Sequence, residues 1–200
     1  MQATKILPSD YHHLKTLDLS GSRTVIGLNL AAIPLIFLFG WFFGRLIILL
    51  RSINPFPNGL LGVITIFSLW ELIALLLSII LMLIFHELIH GLFFWLFTHE
   101  RPRFALKSGY AFAAAPEWYL PKFQYTIVGL SPLVLISIVC LIFATFLPPQ
   151  IVPYLLLIAT FNAAGALGDM IIVVWVSSQS NKILVRDQGD KFSTFTPDIS

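Results

Sequence analysis

Charge is scarce in this 200-residue chain. Asp, Glu, Lys and Arg make up 11 % of it, against about 25 % in a soluble domain. With 58 % hydrophobic residues and a mean hydropathy of +0.89, that shortage excludes an ordinary soluble globular protein. Cysteine occurs once, as Cys140 inside an apolar run, so no intrachain disulfide can form. Cys140 reads as a small buried hydrophobe. The net charge is only +2 and the basic residues flank apolar runs, so nothing points to a nucleic-acid partner. No internal repeat is evident, which speaks against a transporter built from repeated halves. No small-residue cleavage site follows the first apolar run, so the first span is expected to be a retained anchor.

What is present in quantity is apolar run. Several runs exceed the roughly 20 residues that cross a bilayer. Spans are expected over 24–50, 60–98, 123–147 and 152–177. The fold class this implies is an all-α polytopic membrane protein: about four transmembrane helices, with a short cytoplasmic β-hairpin between the second and third. Residues 1–22 form an N-terminal segment, 23–178 the membrane domain and 179–200 a polar tail that reads as partly disordered. Within the first segment, Asp10 to Leu19 is expected to form one or two amphipathic helical turns. His12 and His13 are adjacent and diverge by about 100° on a helix, so they read as solvated surface rather than a metal pair. Asn54-Pro55-Phe56-Pro57-Asn58-Gly59 marks a turn. Residues 103–113 read as two short strands around Lys107-Ser108-Gly109, and Ser131-Pro132 predicts a kink in the third span. Lys and Arg gather in 1–23, 99–122 and 178–200, while the other side holds Arg45 and Arg51. The positive-inside rule then places both termini and the 99–121 loop in the cytoplasm of a multi-pass cell-membrane protein.

The second span carries the chemistry. Between Leu60 and Phe97 its ionisable side chains are Glu71, His86, Glu87 and His90, and the last three form His86-Glu87-Leu88-Ile89-His90. Given the His and Glu content, a chance match to H-E-x-x-H arises on the order of 0.2 % of the time. On a helix His86 and His90 stand one turn apart on one face, the spacing at which two imidazoles grip one tetrahedral Zn²⁺. Glu87 stands beside them, placed to take a proton from a metal-bound water. Ionisable groups at bilayer depth cost about 2.5–3.5 kcal/mol each on insertion scales, and a metal is the simplest compensating partner.

Zinc needs a third protein ligand and an open position for water. Asp169, Glu117, His99 and Glu100 are the choices. Asp169 is favoured because it is an in-span carboxylate at the depth of His90, and Glu117 remains the alternative because its loop can fold back. Glu71 lies 16 residues before Glu87, about 24 Å along a helix, and is too far. Asn162, seven residues before Asp169, is expected on the same helical face. It serves there either as a hydrogen-bonding partner for a substrate carbonyl or as polar glue between helices. Gly165 and Gly168 leave room for a neighbouring helix or a substrate backbone.

These residues resemble the zincin peptidases of the DUF3267 kind and, more broadly, the intramembrane zinc metalloproteases of the site-2 protease type. The resemblance covers most of 60–178 and rests on His86-Glu87-x-x-His90 with Asn162 and Asp169 in a later span. It implies zinc held by His86, His90 and Asp169, with Glu87 as the catalytic base and a membrane-embedded protein or peptide as substrate. The pattern departs from the site-2 type at Gly165, where proline is usual, and at Met170 after Asp169. The Asn-to-Asp spacing is also one residue shorter. No PDZ-like or CBS-like domain is expected, since no stretch is long enough for one. The 99–113 hairpin resembles that group's membrane-associated β-element, which makes Tyr110 and Phe112 candidates for substrate contact by β-addition. The expected function is a zinc-dependent intramembrane endopeptidase. A metal or proton transporter, or a non-catalytic membrane scaffold, using the same polar residues is the alternative.

Overall fold

A computed structural model describes residues 2–51, 68–107 and 110–198. The expected turn over 52–59, the start of the second span at 60–67 and the hairpin tip at Ser108-Gly109 lie outside the described residues. In chain order the elements are β1 (Tyr11–Asp18), α1 (Ser22–Leu50), α2 (Leu69–Thr98), β2 (Arg103–Lys107), β3 (Tyr110–Ala114), β4 (Tyr119–Pro121) and α3 (Lys122–Phe146). A 3₁₀ turn (Pro149–Ile151) leads into α4 (Val152–Gly165), α5 (Leu167–Ser177), β5 (Leu184–Asp187) and β6 (Lys191–Pro197).

Helices α1, α2 and α3 are long and apolar enough to cross a membrane, and α4 with α5 makes a fourth crossing if the pair is one span. Large apolar side chains stand exposed along them, among them Phe37, Trp41 and Trp70 at 75, 66 and 78 %. Contiguous apolar surface on this scale marks a membrane-facing or binding surface rather than an ordinary wetted one. Helix α2 stops at Thr98 because His99 turns left-handed at φ 56°, a conformation His tolerates better than most side chains. Pro102 then follows.

The fold is not purely α-helical. The described residues hold six strands in two sheets: β2 pairs with β3, and a four-stranded sheet runs β1-β6-β5-β4. Two expectations are corrected here. Asp10 to Leu19 is not an amphipathic helical turn but contributes β1, antiparallel to β6, with Tyr11 opposite Pro197 and Asp18 opposite Lys191. The tail is not disordered as far as Asp198, because 184–187 and 191–197 form the β5–β6 hairpin. Phe192 and Thr194 alternate inward along β6, the period-2 pattern of a half-buried strand. The partner of β1 lies some 180 residues away in sequence, beyond the reach of any local pattern. A third correction concerns the fourth span. It breaks at Ala166, so Asn162 ends one helix and Asp169 begins another. Gly165 and Gly168 flank the break, and each costs about 1 kcal/mol relative to Ala in a helix. The inference that both residues share one helical face therefore falls.

The chain divides into two compact units. One comprises Met1–Leu30, Glu87–Ser131 and Leu167–Ser200, and the other Ala31–His86 and Pro132–Ala166. The first holds both sheets and a core that includes Phe94, Leu120, Tyr125, Val128, Ile172 and Phe192. The second packs Phe43 and Cys140 against Ala159 and Ala163. Small residues there let helix backbones approach closely, and Cys140 is the buried hydrophobe expected of it. Arg51 is buried in this unit, where its guanidinium donates to the carbonyls of Ala144 at 2.7 Å and Leu147 at 2.9 Å. It thereby satisfies carbonyls that the end of α3 leaves open.

Candidate metal centre

His86 and His90 stand one turn apart on the unbroken α2, and both are buried. Each ring is oriented through Nδ1. In the first unit, His90 Nδ1 donates to the carbonyl of Val128 at 2.9 Å. That carbonyl is available because of the sequence of α3. Val128 would normally accept from the N–H four residues on, but the residue there is Pro132, which has none. Ser131 Oγ also donates to it at 2.8 Å. In the second unit, His86 Nδ1 donates to Asn162 Oδ1 at 2.9 Å. Asn162 is fully buried, and its amide nitrogen donates to the carbonyls of Pro132 at 3.3 Å and Leu133 at 3.4 Å. Its hydrogen-bonding capacity is spent on protein groups, which favours an orienting role over direct contact with substrate. With the proton on Nδ1, the lone pair of each imidazole resides on Nε2.

Asp169 opens α5, eight residues before its end at Ser177, as His90 lies eight before the end of α2 at Thr98. Its Oδ2 lies 3.4 Å from His90 Nε2. Such a contact is favourable when a cation lies between nitrogen and oxygen, either a proton on Nε2 or a metal ion. Zinc fits. With bonds of about 2.0–2.2 Å to nitrogen and oxygen, the edge of a zinc tetrahedron spans about 3.4 Å. Glu87, on the same turn, has a buried Oε2.

Glu117 and Glu100, two of the other possible ligands, are engaged elsewhere. Glu117 is exposed and pairs with Arg103. Glu100 pairs with Lys5 at 2.6 Å and accepts from Trp118 Nε1 at 3.1 Å, and these donors hold its carboxyl below the usual value. His12 pairs with Asp198 at 2.7 Å on the surface. Side chains added at Gly165 or Gly168 would meet open space. Tyr110 and Phe112 stack on each other and face the β5–β6 turn, Tyr110 Oη donating to Asp190 Oδ2 at 3.1 Å and the Phe112 ring lying against Gly189.

One residue that sequence reasoning passed over is Asp187, at the end of β5. It is buried, and it accepts from Tyr125 Oη at 2.9 Å and from the N–H of Gly189 at 2.7 Å. Burial pushes its carboxyl up to about 7, against the pull of these hydrogen bonds and of His90. The signal was Asp187-Gln188-Gly189-Asp190 between two alternating strands, a hairpin turn in which the first Asp caps its own turn.

The sequence profile of a family described as "Putative zincin peptidase" (DUF3267) matches residues 79–184. That stretch contains His86, Glu87, His90, Asn162 and Asp169. No curated protein and no solved structure matches the chain.

Proposed function

The chain belongs to the DUF3267 zincin-peptidase family, and from that premise we propose that it is a zinc-dependent endopeptidase working within or beside the bilayer. Zinc is the cofactor that family membership implies. His86, His90 and Asp169 hold it, and Glu87 is the catalytic base. The observation that carries this reading is His90 Nε2 facing Asp169 Oδ2 at 3.4 Å while Nδ1 is tied to Val128. When bound, zinc polarises the scissile carbonyl and lowers the pKa of water towards about 7. Glu87 accepts a proton from that water as its oxygen adds to the carbonyl carbon. As the C–N bond breaks, Glu87 returns the proton to the leaving amine.

Substrate presentation follows from the β2–β3 hairpin. The ring of Phe104 on β2 lies against Gly91, the residue after His90: a Cβ there would come within 2.4 Å of it. β2 pairs only with β3 among the described residues, and all five of its residues are exposed. Its other edge has the backbone donors and acceptors to hold an unwound peptide by strand addition. The membrane helix that supplies the peptide would unwind locally to expose its carbonyls. β1 pairs with β6 in one sheet, which supports an even number of crossings, and the positive-inside rule puts that side in the cytoplasm.

The test is zinc content and proteolysis by the detergent-purified protein. About one zinc per chain is expected, kept in Glu87→Gln and lost in His90→Ala and Asp169→Ala. Against a membrane-helix peptide library, Glu87→Gln should lower turnover by about 10²–10⁴. Wild-type protein without zinc after metal supplementation refutes the metal site, and bound zinc with no turnover favours the scaffold.

A further inference from the structure

We propose that Asp187 is a positioning residue of the zinc site: by holding the Tyr125 hydroxyl it fixes the stretch of α3 that presents the Val128 carbonyl to His90. This rests on the reading of His90 and Asp169 as zinc ligands.

The connection is short, and every step lies in one unit. Asp187 Oδ2 accepts from Tyr125 Oη at 2.9 Å. Tyr125 and Val128 are three residues apart on α3 and therefore neighbours on one face. The Val128 carbonyl receives His90 Nδ1–H at 2.9 Å. Around Tyr125 the same core cluster holds Phe94, four residues after His90 on α2, and Ile172, three after Asp169 on α5. Tyr125 thus shares a core cluster with residues one turn from His90 and from Asp169.

A buried carboxylate is an expensive way to fill this space. Desolvation costs several kcal/mol, and Asp187 accepts from two neutral donors, Tyr125 Oη and the Gly189 N–H. A leucine would pack there without that cost. What a carboxylate provides is a strong acceptor fixed at one point by its own turn, since Gly189 N–H holds Oδ1 at 2.7 Å while Oδ2 faces Tyr125. Groups that hydrogen-bond a ligating His set its ring orientation, and losing one typically costs 10–100-fold in metal affinity; Asp187 acts on such a group, the Val128 carbonyl, through Tyr125. The turn also reaches outward. Asp190 accepts from Lys107 and Tyr110 of the β2–β3 hairpin, so one tight turn anchors both α3 and the hairpin.

The experiment measures the zinc dissociation constant of the full chain in detergent by competition with a chromophoric chelator. The visible spectrum of the cobalt(II)-substituted protein is recorded alongside, because its d–d bands report ligand geometry. Tyr125→Phe and Asp187→Ala should each weaken zinc by about tenfold or more and alter the cobalt spectrum. The double variant should be no weaker than the weaker single, because both break one connection. Asp187→Asn, whose oxygen can keep the Gly189 N–H while its amide nitrogen donates to the Tyr125 hydroxyl oxygen, should recover part of the affinity. Asp190→Asn, in the same turn, should leave zinc and the cobalt bands unchanged. Tyr125→Phe or Asp187→Ala that folds and binds zinc like the wild type overturns the inference, as do independent effects that multiply in the double variant. Should Asp187→Ala fail to fold, Tyr125→Phe and Asp187→Asn decide it. Wild-type protein without zinc removes the metal site and this inference together, an outcome distinct from zinc-loaded variants that do not change.

Discussion

His86 and His90 reach the same tautomer by different routes. His90 uses a backbone carbonyl that a proline downstream has released, and His86 uses the side-chain amide of Asn162. The two routes differ in what a mutation can reach, since Asn162 can be truncated while the Val128 carbonyl cannot. Asn162→Ala removes the acceptor that Asn162 Oδ1 offers His86 Nδ1 and the amide donor to the Pro132 and Leu133 carbonyls. The expected outcome is zinc affinity reduced about 10–100-fold, read by chelator competition. Asn162→Asp, which still accepts from His86, should lose less. Were Asn162 a substrate-binding residue alone, zinc affinity would stay and only KM would rise.

At the level of elements, the β5–β6 turn does more than join two strands. Gly189 sits at φ 97°, and a Cβ there would come within 2.2 Å of the Phe112 ring. Two demands meet at one residue: a left-handed backbone that favours glycine and close approach of the hairpin. Gly189→Ala should destabilise the docked hairpin by about 1–3 kcal/mol, from overpacking added to backbone strain. Faster proteolytic cleavage within 103–114 would report it. Adding Phe112→Ala should recover the overpacking part but not the strain. Full recovery would show that the positive φ costs nothing, and no recovery that the ring is irrelevant. The break between α4 and α5 belongs to this scale as well. Two glycines within four residues interrupt an otherwise apolar span, and the interruption places Asp169 in the first turn of α5.

Taken as a whole, the metal-free molecule should show a pH dependence set by Asp187. Its carboxyl rises to about 7 in the fold from about 3.9 in an unfolded chain. A raised carboxyl binds its proton more tightly when folded. Its contribution to stability is therefore fully present below about pH 4 and is lost as pH rises through about 7. The melting temperature of zinc-free protein should fall between pH 5 and 8 in wild type and be flatter in Asp187→Asn, measured by differential scanning fluorimetry in detergent. Equal slopes would assign the dependence to other groups.

Read by itself, the sequence shows the long apolar helices and the His-Glu-x-x-His pattern, because each rests on local pattern. A bilayer-length apolar run and an i, i+4 pair of histidines need no tertiary information. It also singled out Asp169, since a carboxylate in an apolar span has to be paired. The structure decided what depends on distant partners. β1 and β6 pair across nearly the whole chain, and neither strand was legible alone. Asn162 resolved from two open readings into a partner of His86 only when their contact was seen. Asp187 went unnoticed in the sequence, and the fold buries it against Tyr125, because burial is a property of what packs around a residue and not of its neighbours in sequence.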